Sequence, residues 1–323
     1  MSRRASAPGS APAPARARAF APGSVGNVGP GLDILGLALS GAGDEVAAER
    51  LGRGGDGGIV LRDPGHPDLP ADPRRHTAAL AAAAVLRRAG AAGLGLALAV
   101  RKGLPLSAGQ GGSAASAVAG AVAVNRLLGD PLGRREILAA CLEAEQAVAG
   151  RHADNVAPSL LGGIVLIRSL DPPDLVSLPV PAELRVVLAH PDCRLRTRDS
   201  RAVLPRSVPL ETALHQAAQV AAMVAALAAG DYALLGRALD DRVAEPARAP
   251  LVPGFGRAKA AALEAGALGA SISGSGPTVF ALARGDASAQ AVAAAMGAAY
   301  AAEGIEARVH VEQVDRAGAR VLE

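Results

Sequence analysis

Residues 103–120 read GLPLSAGQGGSAASAVAG, and the fold turns on how they are read. Gly95–Val100 ahead of them is apolar and reads as a strand. From Ser113 an Ala/Val run reaches Asn125 with no proline, which reads as a buried helix. The unit is therefore strand, glycine-rich loop, helix. Positions without side chains let backbone N–H groups converge on one point, and glycine reaches the positive φ such a nest needs. The unpaired N–H groups of the helix start, at the positive end of its dipole, favour an anion. Ser113 stands at the first helical turn, where it can cap the helix or put its hydroxyl on a magnesium ion held by phosphates. By itself the loop is equally compatible with a flexible Gly/Ser turn. It is not a Walker loop, because no Gly-Lys-Ser/Thr follows the glycines.

Outward from that stretch, 323 residues at 50% hydrophobic suffice for one large domain or two of medium size. Cys141 and Cys193 are far apart without metal-ligand spacing, which fits a reducing compartment and argues against a disulfide scaffold or structural zinc. Aromatic residues make up only 2%, too few for a reader that stacks nucleic-acid bases. Lys102 and Lys259 are the only lysines; arginine carries every other basic charge, and net charge is just +3. No apolar run has the length and flanks of a membrane span, and the N-terminal arginines precede no apolar signal core. Residues 1–18 read as a disordered tail.

Along the chain, APGSVGNVGPGLDILGLAL (21–39) is a small-residue turn in which Asn27 and Asp33 stand out; either can be ordinary turn chemistry. Short strands are expected at Glu45–Glu49 and Ile59–Leu61, and helices at His76–Ala89 and Pro131–Ala149. In HADNVAPSLLGG (152–163) a histidine, an aspartate and an asparagine fall within four residues. Asp171–Pro181 reads as a Pro-rich connector, and Pro191–Pro205, with Arg194, Arg196, Arg198 and Arg201, as a solvated loop. Leu184–His190 is a buried strand. Helices follow at Leu210–Ala229, Tyr232–Leu239, Arg257–Ala265 and Ala287–Ala302, with strands at Thr278–Leu282 and Ala307–Gln313. This second half suits a sheet with helices on one face.

VGNVGPGLDILGLAL (25–39), HADNVAP (152–158), SRAVLP (200–205), AEPAR (244–248) and SGSGPT (273–278) together resemble the superfamily of galactokinases, homoserine kinases, mevalonate kinases and phosphomevalonate kinases (GHMP kinases), most closely its homoserine kinase family. The resemblance implies an α+β, two-domain fold: an S5-like α/β ATP-binding domain over 19–172 with a left-handed crossover, and a ferredoxin-like domain over 173–323. It implies phosphorylation of the side-chain hydroxyl of L-homoserine by ATP, with Mg2+, in the threonine pathway, in the cytoplasm and as a homodimer, with no nucleic acid or membrane as partner. Pro105, Leu106, Ser107, Ala108, Gly109, Gln110, Gly111, Gly112, Ser113, Ala114 and Ala115 would wrap the ATP phosphates. Ser113 and Glu145 would reach magnesium. Asn27, Asp33, Asn155, Arg201 and Arg248 match positions around homoserine, where a guanidinium fork suits the α-carboxylate and Asp33 the α-ammonium. The hydroxyl proton would pass toward the phosphate rather than to an Asp–Lys pair.

The chain departs from the family pattern in three places. Gly112 replaces the first of two loop serines, and Gln110 stands where leucine is usual. Glu145 is seven residues before His152 and Glu143 nine, where the family places its magnesium glutamate eight; a one-residue shortening at Val148–Gly150 makes Glu145 the equivalent. A GHMP kinase for another small alcohol, or a non-catalytic binding homologue, are the alternatives that these departures keep open.

Overall fold

A computed structural model describes residues 14–51, 58–148 and 150–322. The chain opens with β1 (Arg16–Gly26), β2 (Leu35–Arg50), β3 (Ile59–Asp63), α1 (Thr77–Arg88) and β4 (Leu96–Arg101). It continues through α2 (Gly112–Leu127), α3 (Arg134–Val148), α4 (Val156–Leu161), β5 (Ile164–Leu170) and β6 (Pro173–Leu178). These strands form a seven-stranded sheet in the order β11-β1-β2-β4-β3, with β5 pairing β2 and β6 pairing β5. Its β11 (Arg320–Val321) is the last strand of the chain, returning to pair with β1. The pair β3–β4 is parallel, joined through α1, and the others are antiparallel.

The second half holds β7 (Leu184–Pro191), α5 (Thr197–Ala202), α6 (Leu210–Ala229), α7 (Tyr232–Arg237), α8 (Ala244–Arg248), α9 (Phe255–Glu264), β8 (Gly269–Ile272), β9 (Val279–Arg284), α10 (Gly285–Ala302) and β10 (Ala307–Glu312). Its antiparallel sheet runs β10-β7-β9-β8. Counted within this half, that is the order 4-1-3-2 of a β-α-β-β-α-β ferredoxin-like unit. The sequence reading missed β8, because four small and apolar residues ahead of a glycine turn carry too short a pattern to separate from it.

Ala-rich helices α1 and α2 close over the first sheet, where Ala78, Ala81, Ala82, Ala115, Ala117 and Val118 are wholly buried. A second core joins the halves: Val25, Leu35 and Leu37 from β1 and β2 pack with Leu188, Met223 and Phe280. The halves are thus fused along one edge, and a cleft opens on the other.

Four expectations need correcting. Residues 1–13 of the expected tail lie outside the described residues, but Arg16–Arg18 are already strand, paired with Ala47–Glu49. The Pro-rich connector is β6, which pairs with β5 and so carries the first sheet past residue 172 to Leu178 before β11 rejoins it from the far end of the chain. Pro173 is tolerated there because it opens an edge strand, where its missing N–H removes no ladder bond. The solvated loop at 191–205 contains α5. Finally, α6 has the length and apolar composition of a membrane span, with mean hydropathy 1.3. Its inner residues Met223, Ala226 and Leu227 are buried in the second core, while Leu210 and Leu214 are exposed.

Candidate active site

The glycine-rich loop sits at the N-terminus of α2, and no side chain caps that helix. Gly111 precedes it in the left-handed region at φ 68°. Ser113 does not cap either: its Oγ donates to Glu145 Oε2 at 3.1 Å. The first N–H groups of α2 therefore remain available to a ligand. Below the loop lies a buried support. Lys102 Nζ is paired with Asp44 and donates to Gly112 O at 2.9 Å and Ser116 Oγ at 3.1 Å. Ser116 Oγ in turn donates to Asp44 Oδ2 at 2.6 Å.

The loop is also tied to the second half. Ser273 Oγ donates to Gly109 O at 2.7 Å, Thr278 N to Ala108 O at 3.2 Å, and Gly274 N to Gly26 O at 2.9 Å. Gly109 has φ 75°, and a Cβ on it would collide with the carbonyl oxygens of Ser273 and Gly276, so only glycine fits. Gly112 is different: a Cβ there meets Lys102 Nζ at 3.4 Å and nothing closer.

Between the halves is a cavity of about 540 Å³. Gly109, Gly111, Gly112 and Ser113 line it from one side, Arg201 and Arg248 from the other. The loop and the arginines therefore share one cleft. Asn27 and Asn155 line it as well. Asp33 stands beside it, its carboxylate held by both terminal nitrogens of Arg201, one at 3.0 Å. Asn27 Oδ1 accepts from Asp33 N at 2.8 Å, and both residues adopt positive φ, 54° and 62°. Turn chemistry and site membership thus coincide at these two positions. Asn155 Oδ1 accepts from Ser24 Oγ at 3.0 Å, close under Gly111. Arg248 is only 2% exposed and donates to the carbonyl oxygens of Gly274 at 2.8 Å and Ser200 at 3.4 Å.

Three of the loop residues turn their side chains elsewhere. Ala114 and Ala115 are buried in the first core. Gln110 is buried too, its amide donating to Thr278 Oγ1 at 3.2 Å, which meets His190 Nδ1 at 3.1 Å. The unusual glutamine therefore bridges the halves and takes nothing from the cavity.

Glu145, not Glu143, stands beside Ser113; Glu143 pairs with Arg87 and Arg88 on the surface. Burial pushes the Glu145 carboxyl up to about 7, with the charge of Asp154 adding to it. Its Oε1 is buried without a hydrogen-bond partner. An orphaned carboxylate oxygen next to a hydroxyl, beside an uncapped helix N-terminus, is a donor set that suits a hard divalent cation. Asp33 is the opposite case. Burial works to raise its carboxyl, but the Arg201 hydrogen bond and charge, helped by His152 and Arg248, take it below its ordinary value.

The chain's relatives can now be set beside this geometry. Residues 76–163 match the family described as GHMP kinases N terminal domain, and residues 223–302 match GHMP kinases C terminal. A homoserine kinase of Chlorobium phaeovibrioides is 43% identical, covering 94% of this chain and 99% of its own length. The chain belongs to the homoserine kinase family. The Arabidopsis thaliana homoserine kinase is 42% identical over 94% of this chain and 84% of its own. The crystal structure of homoserine kinase from Cytophaga hutchinsonii superposes with a TM-score of 0.89 at 40% identity, over 96% of this chain and 98% of that one. An L. major mevalonate kinase, at 19% identity and TM-score 0.69 over 91% of this chain and 95% of that one, shares the fold. The two-domain α+β GHMP kinase architecture is thereby established, and the chain is a kinase.

In this family member the site also contains residues noted in the sequence but not assigned to it. Asp154 is 1% exposed and lines the cavity; burial and the charge of Asp33 push its carboxyl up to about 7, and its Oδ1 has no partner. His152 brings Nδ1 to 3.4 Å from Asp33 Oδ1. Lys102 carried a usable signal: a lysine kept where arginine otherwise supplies the basic charge. Its compact ammonium fits three close acceptors that a planar guanidinium would not.

Proposed function

We propose that the chain transfers the γ-phosphoryl group of ATP to the side-chain oxygen of L-homoserine. The observation that carries the reading is the shared cleft: bare loop nitrogens and Ser113 on one wall, Asp33, Arg201 and Arg248 on the other. A zwitterion matches the second wall. Its carboxylate suits the guanidinium of Arg201 and the buried charge of Arg248, and its ammonium suits Asp33, which stays ionised because its carboxyl is held low. Binding would draw Arg201 partly off Asp33, exchanging one ion pair for two. Asn27 and Asn155 would orient the hydroxyl-bearing end toward the loop.

Phosphoryl transfer needs mainly alignment and neutralisation of charge. The N–H groups of residues 111–113 would hold the phosphates. Ser113 and Glu145 would hold Mg2+, which when bound neutralises phosphate charge. Asp33, tied to Arg201, is a poor base, which accords with the hydroxyl proton passing to a phosphoryl oxygen. Arg248 is more than a substrate clamp: its buried bonds to Gly274 and Ser200 brace the C-terminal wall, so its loss would cost stability as well as affinity. The exposed face of α6, with Leu210 and Leu214, supports a homodimer, and two free cysteines accord with the cytoplasm.

The direct test is 31P NMR of the product of purified protein, Mg2+, ATP and L-homoserine. A phosphomonoester on the side-chain oxygen, appearing in step with ADP, is expected. ATP consumption with inorganic phosphate as the sole new phosphorus species would overturn the assignment.

A further inference from the structure

The cavity has a surplus of positive charge whose ownership can be traced. Of the cations lining it, Lys102 is paired with Asp44, Arg194 with Asp68, Arg198 with Asp199 and Arg201 with Asp33. Arg248 is held by two carbonyl oxygens. Among the described residues, Arg75 and Arg196 are the arginines lining the cavity whose side chains make neither an ion pair nor a hydrogen bond. The loop itself brings no lysine to the phosphates, because the nearby Lys102 ammonium is already spent on a buried carboxylate.

Position separates the two free guanidinium groups. Arg75 lies in the turn just before α1, in the N-terminal half. Arg196 immediately precedes α5, with extended backbone at φ −74° and ψ 136°. Its neighbour Thr197 places Oγ1 3.4 Å from Ser275 Oγ, and the turn that carries Ser275 reaches Gly109 through Ser273 Oγ. At the other end of the same helix, Arg201 holds Asp33. Helix α5 therefore spans from the glycine bend to the acceptor pocket, with Arg196 at the phosphate end.

We propose that Arg196 is the residue that supplies cationic charge to the phosphoryl group in transit, doing from the C-terminal half what a lysine does within a Walker loop. The proposal rests on the homoserine kinase reading. In the step, the bond from Pγ to the bridging oxygen of ADP breaks, and that oxygen keeps the electron pair. A bond forms from Pγ to the homoserine side-chain oxygen, whose proton ends on a phosphoryl oxygen. Negative charge spreads over the equatorial oxygens of the moving group, and a guanidinium donates to two of them at once. ADP lacks that group, so Arg196 distinguishes ATP from ADP.

The test compares the full chain with R196Q, R196K and R198Q, by steady-state ADP release and by calorimetric binding of ADP and of a non-hydrolysable ATP analogue with Mg2+. R196Q is expected to lose about 100-fold in kcat, with the homoserine KM and ADP affinity within about two-fold, and R196K to recover part of the loss. R198Q is expected to stay within about two-fold of the parent, since Arg198 already has Asp199. Because Arg196 is solvent-exposed, its variants should melt with the parent. R196Q keeping kcat within about two-fold, losing ADP affinity as steeply as kcat, or being matched by R198Q would each overturn the proposal. Should the parent fail to turn over homoserine yet bind nucleotide, the ratio of analogue to ADP affinity still decides: it falls in R196Q if Arg196 meets the terminal phosphate, and is unchanged if not.

Discussion

Replacing Glu145 by glutamine should make the unliganded protein more stable and the enzyme inactive, and the size of the first effect follows from the site. Glu145 is 7% exposed, Oε2 accepts one bond from Ser113, and Oε1 accepts none. Burial first, then the charge of Asp154, lifts its carboxyl from 4.5 to about 7. At about 1.36 kcal/mol per pH unit, ionising it in the folded chain costs on the order of 3 kcal/mol. The sign is fixed by linkage. The unfolded chain releases this proton near 4.5 while the folded chain keeps it to about 7. The stabilisation from the raised value is therefore whole below 4.5, is lost as pH rises through about 7, and does not change further above that. Glutamine cannot ionise and keeps the shape. Urea denaturation without Mg2+ or nucleotide should find E145Q close to the parent at pH 5. At pH 8 it should be more stable, by up to about 3 kcal/mol. Its Mg2+-dependent turnover should fall on the order of 100-fold or more. An equal stability difference at both pH values, or full turnover with magnesium, would refute the idea that this carboxylate waits for a cation.

Ser113→Ala should lower kcat on the order of tenfold and raise the Mg2+ concentration for half-maximal rate, while leaving the melting temperature unchanged, because Ser113 does not cap α2. An unaltered magnesium dependence would contradict it. Gly109→Ala should lose most soluble folded protein, since a Cβ there strikes two backbone carbonyls, whereas Gly112→Ser, which restores the first of the family's two loop serines, should fold and melt like the parent; equal melting of the two would count against the packing described. Arg201→Lys keeps a charge but loses the two-pronged grip on Asp33. It should raise the homoserine KM about tenfold or more while the ATP KM holds, and a rise confined to ATP would place Arg201 on the wrong ligand.

What the sequence made legible was what local chemistry dictates. The loop at 105–113 and helix α2 are written in consecutive small residues, and the buried strands in apolar runs. The motif residues Asn27, Asp33, Asn155, Arg201 and Arg248 do meet at one cleft. What stayed hidden depends on partners distant in the chain. Arg201 read as a solvated charge because Asp33 lies 168 positions away. Gln110 read as a threat to nucleotide binding because its partner Thr278 belongs to the other half. Asp154 sat inside a motif already noticed, yet its burial, within reach of the charge of Asp33, had no local sign. β11 is two residues whose only strand character comes from β1. Of Glu143 and Glu145, one residue either side of the expected spacing, it is Glu145 that accepts a hydrogen bond from Ser113, a contact no local pattern announces.

The central claim is that the loop and the arginine wall select one small amino-acid alcohol. Coupled ADP release measured with L-homoserine, mevalonate, galactose and shikimate tests it most directly. The account predicts magnesium-dependent turnover with L-homoserine far above the others, collapsing when Arg201 is replaced. A rate with L-homoserine no greater than with mevalonate, or with no acceptor at all, would contradict it.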